Sequence, residues 1–118
     1  MKYGYVRIST NKQEIDRQVE ALEKHDLEKI YVDVTTGSKF NRPQYKILTE
    51  EVLRKGDELF IKEVDRLGRN KRETLEELRK LKAKGVIIRI LEIPSTLTVL
   101  NDETDQNKML IDMVNNML

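Results

Sequence analysis

The 118-residue chain has no cysteine, one histidine and no apolar run of membrane-spanning length. Without cysteine there is no disulfide framework and no thiolate metal site. With His25 alone, a His–His metal pair or a Ser–His–Asp triad cannot form within one chain. The first residues, Met1-Lys2-Tyr3-Gly4-Tyr5-Val6, run straight into a strand-like pattern and lack the apolar stretch of a signal peptide. No 18-residue apolar segment is available to cross a bilayer. These absences read as a soluble, cytoplasmic protein.

Charge of one sign is lacking as well. Charged residues make up 36% of the chain, yet they balance to +1, so gross charge does not announce a nucleic-acid partner. The distribution says more: residues 62–84 carry nine Lys or Arg against five acids, while 101–118 carry Asp102, Glu103, Asp105 and Asp112 against Lys108. A basic stripe of this kind is either an anion site or a solvated helix face.

Hydrophobic spacing alternates between two periods along the chain. Residues 3–8, 29–33, 59–64 and 86–91 read as strands, short and rich in β-branched and aromatic side chains. Residues 13–24 read as a helix with Ile15, Val19 and Leu22 on one face and Asn11 as cap. Pro43 suits the first turn of a second helix that carries Tyr45, Leu48, Val52 and Leu53 and stops near Gly56. A third, after Asn70, carries Leu75, Leu78 and Leu81 and closes at Gly85. Residues 34–41 read as a polar loop, and 92–101 as a connection interrupted by Pro94. Residues 102–118 read as a last helix. Strands alternating with helices imply an α/β domain with a mostly parallel sheet.

Ligands of open α/β sheets sit beyond the carboxyl ends of the strands. The polar residues at those ends are Arg7, Ser9 and Thr10, then the 36–42 loop with Arg42, then Asp65, Arg66 and Arg69. One serine and four arginines are therefore expected to converge on one rim. Guanidiniums gathered together need an anion, and their planar forks match phosphate oxygens. A serine hydroxyl among them could attack a phosphodiester while the arginines stabilise the charge that develops. The bland readings stand beside this one. Ser9-Thr10-Asn11 could simply cap the first helix, the commoner role for such a run, and Arg66 and Arg69 could pair with Glu63, Asp65 or Glu73 on the surface.

Three blocks in register carry a family resemblance. Tyr5-Val6-Arg7-Ile8-Ser9-Thr10-Asn11-Lys12-Gln13 with Gln18, then Asp33, Thr36-Gly37 and Arg42-Pro43, then Gly56-Asp57 and Asp65-Arg66-Leu67-Gly68-Arg69-Asn70, resemble the catalytic domain of the serine recombinases, the resolvase/invertase family. The resemblance covers about residues 1–90. It implies a three-layer α/β/α sandwich with a mixed, mainly parallel sheet. It also implies that Ser9 attacks DNA to form a 5′-phosphoserine link and a free 3′-hydroxyl, and that the reaction reverses without metal or ATP. Arg7, Arg66 and Arg69 would hold the scissile phosphate, with Arg42 contributing from a mobile loop. Gln13, Gln18, Thr10 and Asp65 would be accessory. The implied partners are DNA and copies of the chain itself, a dimer pairing into a tetramer.

Two features depart from the family pattern. Thr36 stands where Ser is common, keeping a hydroxyl. The long helix of the family, normally followed by a helix-turn-helix domain, is expected here to be cut short at residues 115–118, leaving a catalytic unit of 1–101 and the start of a dimerisation helix over 102–118. Met109, Met113 and Met117 recur along that segment beside Leu110, Ile111, Val114 and Leu118, apolar round more of the helix than one contact face needs. Self-association through 102–118 is the expectation. Two other classes of function remain open: a non-catalytic phosphate- or nucleotide-binding α/β module, and a pure oligomerisation domain, against which the four arginines argue.

Overall fold

The computed structural model describes residues 1–8, 12–34, 41–63, 66–93 and 95–98. The first strand, β1 (Lys2–Ile8), is followed by α1 (Lys12–Glu23), β2 (Lys29–Val34), α2 (Pro43–Ile47), β3 (Glu58–Ile61), α3 (Lys71–Lys84), β4 (Ile87–Ile90) and the short α4 (Ser95–Thr98). The four strands form one sheet in the order β2-β1-β3-β4. Every described pairing is parallel, so the antiparallel component of a mixed sheet has no counterpart among the described residues.

Alternation along the strands divides the core into two layers. Tyr5, Tyr31, Leu59, Ile61, Ile88 and Ile90 face one way, packing on Tyr45, Leu48 and Leu53 and on Leu75, Leu78 and Leu81 of α3. Val6, Ile8 and Phe60 face the other way, against Leu22, Ile15 and Val19 of α1 and Leu97 of α4. The result is the expected three-layer α/β/α sandwich. Full burial of each such side chain stabilises the fold by roughly 2 kcal/mol.

The chain leaves β1 toward β2 by a helix on one face and returns to β3 by a helix on the other. The sheet therefore reverses its winding between β1 and β3, where parallel sheets open a crevice at the carboxyl ends of their strands. The ladders agree with this. β1 pairs with β2 over six positions, Tyr3↔Lys29 to Ile8↔Val34, but with β3 over three, Lys2↔Glu58 to Gly4↔Phe60. Strand β3 ends at Ile61, short of the expected Val64, because the chain turns at Lys62 and Glu63 and the Arg66 N–H donates to the Glu63 carbonyl at 3.1 Å.

The second helix also differs from its expected form. After α2 the chain widens into a π-helical turn, Leu48–Val52, in which the Leu53 N–H donates to the Leu48 carbonyl at 2.8 Å. Leu48 and Leu53 lie five apart, so an α-helix could not aim both at the sheet; the wider turn buries both. Leu53 then turns extended, ending the helix before Gly56. Helix α3 follows expectation more closely. Asn70 caps it by accepting from the Glu73 N–H at 2.9 Å, and Gly85 (φ 82°) closes it in the left-handed conformation. The 92–101 connection contains α4, pinned by Thr96: its hydroxyl donates to the Ile90 and Ile93 carbonyls and accepts from the Ile90 N–H. The expected last helix, 102–118, and the boundary at 101 lie outside the described residues. Among the described residues, no helix is long and apolar enough to cross a membrane.

Candidate active site

Two arginines from different elements reach the same turn. Arg7, the next-to-last residue of β1, directs Nη2 at the Gly68 carbonyl over a long 3.5 Å. Arg42, at the N-terminal edge of α2, donates from Nη1 to the carbonyls of Leu67 (2.7 Å) and Arg66 (3.3 Å). That turn carries Arg66 and Arg69 in its own sequence. Arg7 and Arg42 thus meet on the main chain of the segment after β3 that carries Arg66 and Arg69 in its sequence.

The turn is fixed by close packing. Gly68 is buried, and a Cβ there would lie 2.5 Å from the Thr74 backbone nitrogen and 2.8 Å from Glu73. Only glycine lets the 66–68 backbone lie so closely on the first turn of α3. Leu67 beside it is fully buried.

Arg42, at the end of the segment expected to be a loop, stands at the N-cap position of α2. The cause is Asp33, at the end of β2 and 3% exposed. Its Oδ1 accepts from the Gln44 N–H and its Oδ2 from the Tyr45 N–H, both at 2.9 Å, while the Tyr5 hydroxyl donates to Oδ2 at 2.9 Å. A carboxylate from a neighbouring strand thus does the work of an N-cap, complementing the positive end of the helix. Arg42 supplies no cap bond of its own. Its guanidinium carbon instead sits 3.9 Å from the centre of the Tyr45 ring, a cation–π contact, and Tyr45 packs on Tyr5 at 4.8 Å between centroids. The Tyr45 hydroxyl donates to Glu77 at 2.8 Å and so ties α2 to α3.

Burial, reinforced by Asp33, pushes the Tyr5 hydroxyl far above the ordinary tyrosine range; burial and Glu77 do the same to Tyr45. A group whose folded pKa is raised contributes stability that is complete below its unfolded pKa and lost as pH rises. The unfolded value for tyrosine is near 10, so the fold should hold its stability to about pH 10 and lose it above. Tyr5→Phe should flatten that alkaline loss while costing about 1 kcal/mol at pH 8. Urea midpoints measured from pH 8 to 11 check both; an equally steep loss in the variant would refute the assignment.

Arg66 and Arg69 keep local carboxylates. Arg66 Nη2 lies 3.4 Å from Glu63 Oε2, and its Nε is buried with no hydrogen-bond partner among the described residues. Arg69, half-exposed, binds Glu73 through Nη2 at 3.0 Å and Nε at 3.4 Å, and its own N–H donates to the same carboxylate at 3.0 Å. These hydrogen bonds hold the Glu73 carboxyl below the usual range. The surface pairing weighed from the sequence is therefore present for both.

The accessory residues divide. Gln13 is exposed in the first turn of α1. Gln18 is fully buried; its Nε2 donates to Glu14 at 3.1 Å and its Oε1 has no partner among the described residues. Ser9, Thr10, Asn11 and Asp65 lie outside the described residues; Ser9 is the residue directly after Ile8, where β1 ends. Among the described residues, no three His, Asp or Glu side chains gather as a metal site. Sequence reasoning set Asp33 in a motif without a role. Its signal was a lone acid ending an otherwise apolar strand, ten residues before a Pro-initiated helix.

The family model "Resolvase, N terminal domain" matches residues 2–117. A resolvase/recombinase of Pseudomonas putida is 34% identical over 92 residues, covering 76% of this chain and 50% of its own length. The transposon Tn3 resolvase of Escherichia coli is 32% identical over 92 residues, 76% of this chain and 49% of the relative. The DNA-invertase of Escherichia phage P1 is 38% identical over 91 residues, 77% and 48%. The chain spans about half the length of the curated relatives it matches.

Proposed function

Because this chain belongs to the resolvase N-terminal domain family, we propose that it cleaves and rejoins DNA through Ser9. The observation that carries the reading is the arginine cluster. Arg7, two residues before Ser9 in the sequence, and Arg42 both donate to the main chain of the turn that bears Arg66 and Arg69.

In this reading the Ser9 hydroxyl attacks the phosphorus of a phosphodiester. The serine oxygen–phosphorus bond forms, the bond to the 3′-oxygen breaks, and the DNA is left with a 5′-phosphoserine link and a free 3′-hydroxyl. The serine proton leaves through a base that Asp65 or a neighbour could supply, and the departing 3′-oxygen gains one. Attack by a 3′-hydroxyl on the phosphoserine reverses every bond and conserves the phosphodiester energy, so neither ATP nor a metal enters the balance. The arginines stabilise charge on the non-bridging oxygens, an effect worth roughly 3–4 kcal/mol per donor in sites of this kind. The Glu63 and Glu73 pairs keep Arg66 and Arg69 oriented and are shared with, or exchanged for, the phosphate. Gln13, Gln18 and Thr10 are accessory to phosphate binding. Strand exchange would use a dimer that pairs into a tetramer, with 102–118 beginning the dimer contact and 1–101 forming the catalytic unit.

With phosphate contacts alone, binding should carry no sequence information and should weaken steeply with salt. Fluorescence anisotropy with unrelated short duplexes should give equal, weak affinities that fall together as salt rises. Nanomolar binding to one sequence at physiological salt, or salt-independent binding, would contradict the reading.

A further inference from the structure

Between α2 and α3 the core holds a polar pair where packing alone would place two apolar side chains. Tyr45, 4% exposed, belongs to the same core cluster as Leu48, Leu75 and Leu78. Glu77, 15% exposed, stands next to Leu78 in the sequence of α3. The Tyr45 hydroxyl donates to Glu77 Oε1 at 2.8 Å. Replacing both members of such a buried pair by apolar groups of similar shape is commonly neutral or stabilising. Stability alone therefore gives no reason for this pair.

What the pair does provide is a ring held at both ends. The Tyr45 N–H donates to Asp33 Oδ2 at 2.9 Å and the hydroxyl is bound by Glu77, so the backbone and the tip of the ring are both fixed. Tyr5 packs against that ring at 4.8 Å between centroids. The Arg42 guanidinium carbon lies over it, 3.9 Å from its centre, while Nη1 of the same group meets the Leu67 and Arg66 carbonyls. An arginine side chain has many rotamers, and stacking its planar head on a fixed ring removes much of that freedom before any ligand arrives.

We propose that Tyr45 is a positioning residue for Arg42: its ring, anchored on Glu77 of α3, presets the guanidinium for the phosphate that the crevice takes. This rests on the recombinase reading of that crevice. The effect falls on the rate of strand cleavage more than on DNA affinity. Affinity sums many phosphate contacts, whereas a preorganised donor counts most where charge develops in the transition state.

The test follows cleavage at saturating duplex by the chain fused to a helix-turn-helix DNA-binding domain. Tyr45→Leu/Glu77→Leu makes the pair apolar; it should melt no lower than the parent and yet cleave about tenfold more slowly, the loss of one cation–π contact. Tyr45→Phe/Glu77→Leu keeps a ring under Arg42 and should recover most of that rate. In an Arg42→Ala background the two double variants should cleave alike, because the ring then has nothing to position. Three results overturn the positioning role while the recombinase reading stands: a parent-like rate in the leucine variant, the same loss from it without Arg42, or no recovery with phenylalanine. A leucine variant that melts well below the parent does so too, since the tyrosine would then serve the fold. A parent fusion that cleaves no duplex overturns both readings.

Discussion

Ser9→Ala will leave the fold intact and remove covalent attachment to DNA altogether. The alanine variant keeps Arg7, Arg42 and the turn at 66–69, so it should still bind duplex DNA with the salt slope of the parent. What it should lose is the hydroxyl that the proposed function assigns to the bond. Loss of a nucleophile from a catalytic unit typically costs on the order of 10⁴-fold or more in rate, against about 1 kcal/mol of stability for a serine that merely caps a helix. The two roles therefore separate by magnitude. For a chain of this size a lost cap shifts the melting temperature by about 4 °C and leaves phosphate binding alone. Cleavage should be followed on this chain fused to a helix-turn-helix DNA-binding domain, which raises the local concentration of DNA without touching the chemistry. If Ser9→Ala retains cleavage, Ser9 is a cap and the phosphate-binding module becomes the better description.

Asp33→Ala will produce the largest loss of stability of any single change at the rim. The side chain is buried and accepts three hydrogen bonds, two from the first turn of α2 and one from Tyr5. Its removal strips α2 of its cap and leaves the Tyr5 hydroxyl buried without that acceptor. Hydrogen bonds to a charged group contribute roughly 1.5–3 kcal/mol each and are not additive, so a loss of about 4 kcal/mol is expected. The melting temperature should fall by about 15 °C. Asp33→Asn keeps the shape and part of the bonding and should cost about half as much. Both are read from urea unfolding. The consequence extends to the site, because α2 carries Arg42 to the 66–67 carbonyls. A destabilisation under 1 kcal/mol for Asp33→Ala would mean that Arg42 is held by something other than this cap.

Most of the architecture was legible because it rests on periodicity. Strands of apolar alternation, Asn70 before α3 and Gly85 after it are local signals, and apart from the early end of β3 the elements formed close to where local rules put them. The gathering of arginines followed from one topological rule, that strand ends of a parallel sheet share a rim. The pairs Arg66–Glu63 and Arg69–Glu73 were legible too, being three and four residues apart.

What was not legible depends on contacts distant in sequence. Asp33 caps a helix on the far side of a loop, so nothing adjacent to it announces the role. The π-helical turn answers a demand of the core, that Leu48 and Leu53 both reach the sheet, which local propensity does not express. The early end of β3 was not legible either: the chain bends at Lys62 and Glu63 and the Arg66 N–H closes on the Glu63 carbonyl, although Val64 continues the apolar sequence pattern. The rim is where local pattern and tertiary demand part company, as functional sites commonly require.

The central claim is a covalent bond to Ser9, and it can be read directly. The fused chain should be incubated with a duplex nicked near the cleavage position, so that the released strand end diffuses away and religation fails. The trapped complex should then be digested with protease and nuclease, and the DNA-linked peptide sequenced by mass spectrometry. The expected result is a 5′-phosphate joined to Ser9, in the peptide that begins after Arg7. Attachment at any other residue, or cleavage that leaves no protein on the DNA, would contradict the account.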